Sequence, residues 1–446
     1  MASTYITQTI SDGGNTKSTF SAWVKRSGLD STQYLFHTSE NTNNDVKIIF
    51  NSSNNLRVLG VVSGSTVLNL TTNRVFRDNS AFYHIVISFD LTQSTEADRI
   101  KMYINGVQET SFSTATYPSQ NYSSLRLNNN GDRRTIGTIY DGGGSAGSGY
   151  FDGLMSHVHF TDGYAYQASA FGSTDSTTGE WKINTAPSVT YGTNGFTILK
   201  DGNTITDQSS NSNDFTLGAG TITDLKDNPS HNFCNINGLY NQTVTQGVTI
   251  NNCGNTVYYA TNSSRSCFGS IAPSSGKYYF ECKVFSNSLL VVGIVNMAWS
   301  NINGASGYGY HDDALNFGYN HNGEKTSGGT NTSFGTAPSN NDIIQVAMDL
   351  DNSKLYFGLN GTWQGSGDPT SGSTGTGSAF DLASGANYTA ACRLRDGTQL
   401  GFNFGNGQFS GSSVVASEGT NASGHGKFEY DVPTGYTALS TKGLNE

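Results

Sequence analysis

Proline is scarce in this chain, at 7 of 446 residues, and charged side chains make up only 13%. So few charges leave no salt-bridged helical faces, and no heptad pattern offers a coiled coil for trimerisation. The 24 lysines and arginines are dispersed and the net charge is −10. With no basic run, the electrostatic footprint of a nucleic-acid binder is missing. No stretch of about 18 apolar residues exists, which excludes a transmembrane helix and membrane insertion through one. The opening "MASTYITQTISDGG" has no apolar core of a secretory leader. Cysteine is limited to Cys234, Cys253, Cys267, Cys282 and Cys392, an odd number with no CxxC pair. Cys282 and Cys392 sit in strand patterns and read as buried thiols. The spacing allows a Cys253–Cys267 bridge without requiring one. The N-x-[ST] matches at Asn69 and Asn241 are expected by chance in so Asn/Ser/Thr-rich a chain.

What is abundant points one way. There are 54 glycines, and aromatics reach 11%. Such a mix suits many short strands joined by polar turns. In "GKYYFECKV" (276–284), alternation puts Tyr278, Phe280, Cys282 and Val284 on one face. Lys277, Tyr279, Glu281 and Lys283 fall on the other, so the strand should enter an apolar core through its first face. "FSAWV" likewise alternates Phe20, Ala22 and Val24 against Trp23. Each half then carries one matching hairpin. "VISFD…KMYING" ends in Asn105-Gly106, and "VAMDLD…KLYFGLNG" ends in Asn360-Gly361. Asn-Gly after an alternating strand predicts a tight reversal. The chain is therefore expected to be all-β, with two antiparallel β-sandwiches in tandem. Residues 1–225 should form the first and 246–410 the second. Residues 226–245 read as a linker and 411–446 as an extended tail.

Residues 276–405 resemble a SPRY domain. The matching pieces stand in family order: "GKYYFECKV", "LVVGIVN", "GYGY", "LNFGYNHNGEKTSG", "DIIQVAMDLDNSKLYFGLNGTW", "YTAACRL" and "GFNFG". Residues 18–165 resemble a LamG or concanavalin A-like lectin/glucanase domain, through "FSAWVKRSG", "FYHIVISFD", "KMYINGVQ" and "FDGLMSHVHFTDG". With "DQSSNSNDFT", "DNPSHNFCNIN" and "VPTGYTALSTKGL", the whole chain is similar to structural proteins of marine bacteriophages. That resemblance implies a non-enzymatic virion component, a tail fibre or tail-associated adhesin for host recognition. The alternative is a decoration or structural subunit of capsid or tail without a receptor role. The implied partners are other virion proteins, further copies of the chain, and a host-surface glycan or protein. Synthesis would be in the host cytoplasm. Fibre proteins usually open with an anchor or stalk, whereas here the lectin-like segment starts near Met1. A compact subunit mounted on another virion protein is expected.

The chemistry-bearing patterns are few. The lectin/glucanase resemblance raises the E-x-D-x-E motif, which sets two carboxylates on one strand face. Its nearest approach is Glu96-Ala97-Asp98-Arg99-Ile100, where Ile100 replaces the second glutamate and the stretch lies in a hairpin turn. "GGGSAG" (142–147) fits two glycine-rich motifs but is followed by a strand rather than a helix, so neither applies. His157 and His159 share a strand face, but no third metal ligand is identifiable. No cofactor is expected. By the LamG resemblance, Asp90 or Asp141 could ligate Ca²⁺, and turn formation is the other reading of both. In the SPRY resemblance ligands bind loops, and "WSNINGASGYGYHDD" is one candidate. It offers Trp299, Tyr308, Tyr310, His311, Asp312 and Asp313 as binding residues, aromatic rings beside polar groups. Tyr308 and Tyr310 read equally well as sandwich-edge packing. Trp363, after the second Asn-Gly, reads as packing.

Overall fold

The computed structural model describes residues 4–11, 13–140, 147–200, 204–239, 247–299, 313–409, 412–413 and 424–445. The chain divides into two compact units, residues 1–77 with 81–224 and residues 78–80 with 225–446. Each is built around two antiparallel sheets, as the alternation predicts. Among the described residues the one α-helical turn, Glu96–Arg99, occupies the turn that carries Glu96 and Asp98.

In the first unit an eight-stranded sheet runs in the order Phe112–Thr116, Ser65–Val75, Asn55–Val62, Asn44–Phe50, Gln33–Asn41, Arg133–Ile136, Tyr5–Thr9, Thr216–Ala219. The other sheet runs Phe196–Ile198, Gly153–Asp162, Lys17–Arg26, Tyr83–Asp90, Ile100–Ile104, Val107–Glu109. Phe20, Ala22 and Val24 enter the core with Ile85, Ile87, Phe89 and Met102. They meet Val46, Ile48, Phe50, Val58 and Leu70 of the larger sheet. Trp23, on the opposite face, is buried as well. It stacks on His84 with ring centroids 4.7 Å apart. Beside them Tyr166, Phe171 and Trp181 pack on Val86 and Tyr103 in a further apolar cluster.

In the second unit the larger sheet runs Thr249–Asn251, Thr256–Tyr259, Thr398–Asn403, Lys277–Ser286, Ile343–Asp349, Lys354–Leu359, Thr362–Trp363. The smaller runs Arg265–Phe268, Tyr388–Leu394, Val291–Asn296, Asn316–Asn320, Glu324–Ser327, Thr330–Ser333. Tyr278, Phe280, Cys282 and Val284 all lie in the core, as the alternation requires.

Two segments differ from their sequence reading. Within the supposed linker, Phe233, Cys234 and Ile236 are core residues of the second unit. Cys234 N donates to Leu439 O at 2.9 Å. Within the supposed tail, Phe428, Val432, Tyr436, Ala438 and Leu439 are also in that core. Thr437–Ala438 pairs in parallel with Tyr278 and Tyr279. The reason is apolar area: five buried side chains on one segment contribute several kcal/mol by leaving water. All five cysteines are buried and outside any disulfide, so Cys253 and Cys267 are not bridged.

Candidate functional site

The binding residues read from the sequence fall mostly outside the described residues, which exclude Tyr308, Tyr310, His311 and Asp312. Trp299 is 3% exposed. It packs with Phe268, Val291, Val295 and Ala391, its ring edge-on to Phe268 at 5.7 Å. Asp313 Oδ1 accepts from Leu315 N at 2.9 Å, and its carbonyl accepts from Asn316 N and Gly328 N at 3.1 Å each. In these positions Trp299 fills a small core and Asp313 closes a turn.

An open cleft of ≈ 480 Å³ lies elsewhere in the second unit. One wall is Trp363, Gly367, Asp368, Pro369 and Thr370, and the other is Asp431, Val432, Pro433 and Thr434. The first wall follows from local sequence. Asn360-Gly361 reverses the chain with φ of 48° and 83°, the left-handed pair that an Asn-Gly hairpin turn needs. Thr362–Trp363 then pairs back on Leu359 and Gly358. That leaves the Trp363 ring half-buried, edge-on to Tyr279 at 6.5 Å. Asp368 caps the short 3₁₀ segment Pro369–Thr374, its Oδ1 accepting from Thr370 Oγ1 at 2.6 Å and Thr370 N at 2.9 Å. Those bonds hold its carboxyl below the usual carboxylate range. Tyr436 joins the walls by donating from its hydroxyl to Pro369 O at 3.0 Å.

The second wall is fastened by Glu281, which alternation had placed on a polar face. Glu281 is fully buried. Its Oε2 accepts from Glu429 N at 2.9 Å and its Oε1 from Tyr430 N at 2.8 Å. Tyr279 Oη donates to Oε1 at 3.0 Å and Asn403 Nδ2 to Oε2 at 3.1 Å. Gln345 Nε2 in turn donates to Tyr279 Oη at 3.2 Å. Burial pushes the Glu281 carboxyl up to about 7 against the pull of these four donors. The strand alone could not reveal this. The signal lay in "KFEYDVP", an apolar-spaced stretch in the supposed tail.

In the first unit the paired histidines are occupied. A bulge between Ser156 and His159 gives His157 a φ of 50°. His157 Nδ1 lies 2.7 Å from Ser156 Oγ, and His159 Nδ1 lies 3.0 Å from Tyr191 Oη. Burial, with His157 and His84 nearby, holds His159 well below its ordinary value. Among the described residues no group of three or more His, Cys, Asp or Glu is placed to hold a metal. Asp90 Oδ1 accepts from Thr92 Oγ1 at 2.6 Å, and Oδ2 from Gln93 Nε2 at 2.8 Å with Lys17 Nζ at 3.3 Å. Donors thus surround both oxygens, and Asp90 closes its turn. Asp141 lies outside the described residues. Asp98, of the carboxylate motif, pairs with Lys101 at 3.0 Å.

Comparison with known proteins fits this architecture. Residues 2–169 match the model of the concanavalin A-like lectin/glucanases superfamily, and residues 277–407 match that of the SPRY domain. The chain thus joins a lectin/glucanase-like domain to a SPRY domain. A search of curated proteins gives no match. Among solved structures, it is similar to the SPRY domain of human HERC1, at 15% identity over 35% of this chain and 92% of that one, with a TM-score of 0.28. A human SPRY domain aligns at 16% identity over 35% and 93%, with a TM-score of 0.27. A heptameric SAP-like pentraxin from Limulus polyphemus aligns at 15% identity over 36% and 70%, with a TM-score of 0.28.

Proposed function

We propose that this chain is a non-enzymatic adhesin of a bacteriophage virion, mounted on the tail, which binds a hydroxyl-rich glycan of the host surface through its SPRY unit. The observation that carries the binding reading is the cleft between Trp363 and Asp431. It pairs one aromatic wall with two aspartates and two threonines. A ring presents a flat apolar face on which a sugar's C–H groups stack, and carboxylates and hydroxyls accept and donate to its hydroxyls. An anionic ligand is disfavoured by Asp368 and Asp431. The virion setting rests on the resemblance of the joining and closing segments to phage structural proteins.

The test is twofold. Purified protein is screened against host cells and their isolated surface polysaccharides. Binding should fall roughly tenfold or more in Trp363→Ala, with the melting curve as a check on folding. Absence of binding to cells and polysaccharides would refute the adhesin. Gold-labelled antibody to residues 246–410 should decorate the tail of intact virions, and label over the capsid would replace the tail assignment by decoration.

A further inference from the structure

Cys267 lies on Arg265–Phe268, the edge strand of the smaller sheet of the SPRY unit. The neighbouring strand Tyr388–Leu394 places Cys392 directly opposite it in antiparallel register. Two residues further along, Gly269 N donates to Ala390 O at 2.7 Å. Since ladder bonds alternate along an antiparallel pair, Cys267 and Cys392 are again a hydrogen-bonded pair, with Cα atoms about 5.5 Å apart. A disulfide spans Cα separations of about 4.4–6.8 Å but needs Cβ atoms about 3.5–4.5 Å apart. That is closer than the roughly 5.5 Å usual for a hydrogen-bonded pair, so the edge strand must shift to close the bond. Both side chains are free and fully buried. Cys282 belongs to the same core but comes from the larger sheet, and among the described strand pairs neither Cys234 nor Cys253 stands opposite a cysteine.

We propose that Cys267 and Cys392 are a latent cross-strand disulfide site, a dithiol that closes when the edge strand opens to a small disulfide oxidant. The reaction is two successive exchanges. One cysteine thiolate attacks a sulfur of the small disulfide, breaking its S–S bond and releasing one thiolate. The second cysteine attacks the mixed disulfide, forming the Cys267–Cys392 bond and releasing the other thiolate. The protein loses two protons and two electrons, and the oxidant becomes two thiols. Burial, together with its Cys267 neighbour, pushes the Cys392 thiol well up, so little thiolate exists while the sheet is closed. Opening of the edge strand is therefore the gate. The bond would tie that strand to its neighbour across a long loop of chain, the arrangement in which a cross-link restricts the unfolded chain most.

The full chain, reduced and folded, is incubated with oxidised glutathione, with and without sub-denaturing urea. Remaining thiols are alkylated and the digest is mapped by mass. The expected product is a Cys267–Cys392 peptide pair lighter by two hydrogens, formed faster in urea and reversed by dithiothreitol. The oxidised protein should also melt higher than its reduced form. Cys282→Ala should leave the cross-link intact. Alkylation of both cysteines under every folded condition would overturn the proposal, as would linkage of either to Cys282, Cys234 or Cys253. The wild-type map decides the matter even if a cysteine variant fails to fold.

Discussion

The central three strands of the two sandwiches pair in matching register, residue for residue. Lys17 faces Asp90 as Lys277 faces Asp349. Phe20 faces Ile87 and Met102 follows, as Phe280 faces Val346 and Phe357 follows. Both hairpins close on Asn-Gly with φ near 48° and just above 80°. In both, the asparagine side chain accepts from a backbone N–H near the start of the hairpin's first strand, His84 N at 2.7 Å and Ile343 N at 2.9 Å. The outer faces differ. The first unit presents Ser21 and His84, bonded at 2.9 Å, with Trp181 Nε1 donating to His84 Nδ1 at 2.9 Å. The second presents the buried Glu281 where the first has Ser21, gripped by residues 429–430. One inner framework thus accepts two unrelated covers, because the inner face needs only apolar volume while each cover must satisfy its own polar groups.

The strongest way to break the comparison is at that position. Glu281→Ala leaves two backbone N–H groups, Tyr279 Oη and Asn403 Nδ2 without their acceptor, and should cost about 3–5 kcal/mol. Ser21→Ala in the first unit removes one neutral partner and should cost about 1 kcal/mol. Urea unfolding of each variant measures both, and equal losses would refute the distinction.

The pH response should separate the units next. A free glutamate carboxyl titrates at 4.5 and Glu281 in the folded chain at about 7. The folded state therefore retains a proton that the unfolded state has lost. This contribution is full below 4.5 and vanishes as pH rises to about 7. His84 runs the other way. Burial, with a lesser effect of His157, lowers it from 6.5 to about 3. Its contribution is present above 6.5 and is lost as pH falls. Raising the pH from 5 to 7 should stabilise the first unit and destabilise the second, by about 2 kcal/mol each. Calorimetry should show two transitions moving in opposite directions, and Glu281→Gln should flatten the second.

The turns sharpen the comparison on a smaller scale. A Cβ at Gly106 would lie 2.3 Å from the Trp181 ring, and one at Gly361 would lie 3.0 Å from the Tyr430 ring. Both glycines have positive φ, so alanine is strained at either. Gly106→Ala should cost about 2–3 kcal/mol and Gly361→Ala about 1 kcal/mol, read by thermal melting. The smallest difference belongs to the ion pairs. Lys277–Asp349 is 2.9 Å long with its carboxylate fully buried, and Lys17–Asp90 is 3.3 Å and more exposed. Lys17→Met should change stability by less than about 0.5 kcal/mol and Lys277→Met by about 1–2 kcal/mol. A double-mutant cycle on each pair checks the ordering.

Much of this was legible in the sequence. The inward faces of "FSAWV", "FYHIVISFD" and "GKYYFECKV", and both Asn-Gly reversals, follow from local rules. A side chain two residues along points the same way, and only a narrow set of residues tolerates positive φ. The outer faces were not legible. The burial of Trp23 and Glu281 did not show, because alternation reports opposition of faces, not what lies over them. Trp299, read as a ligand aromatic, packs on Phe268 for the same reason. The cleft was missed because its walls, 363–370 and 431–434, lie far apart in the chain and the second belonged to a supposed tail.

The sequence by itself determined the all-β class, the two sandwiches, the core face of each central strand and the hairpin turns, because these depend on neighbours within a few residues. Only the tertiary structure decided that residues 225–239 and 424–445 complete the second unit. It alone buried Glu281 beneath residues 429–430, set Trp363 against Asp431, and put Cys267 opposite Cys392. Each of these is a contact between distant segments, where the free energy of burial and of a satisfied polar group depends on the partner rather than on the local pattern.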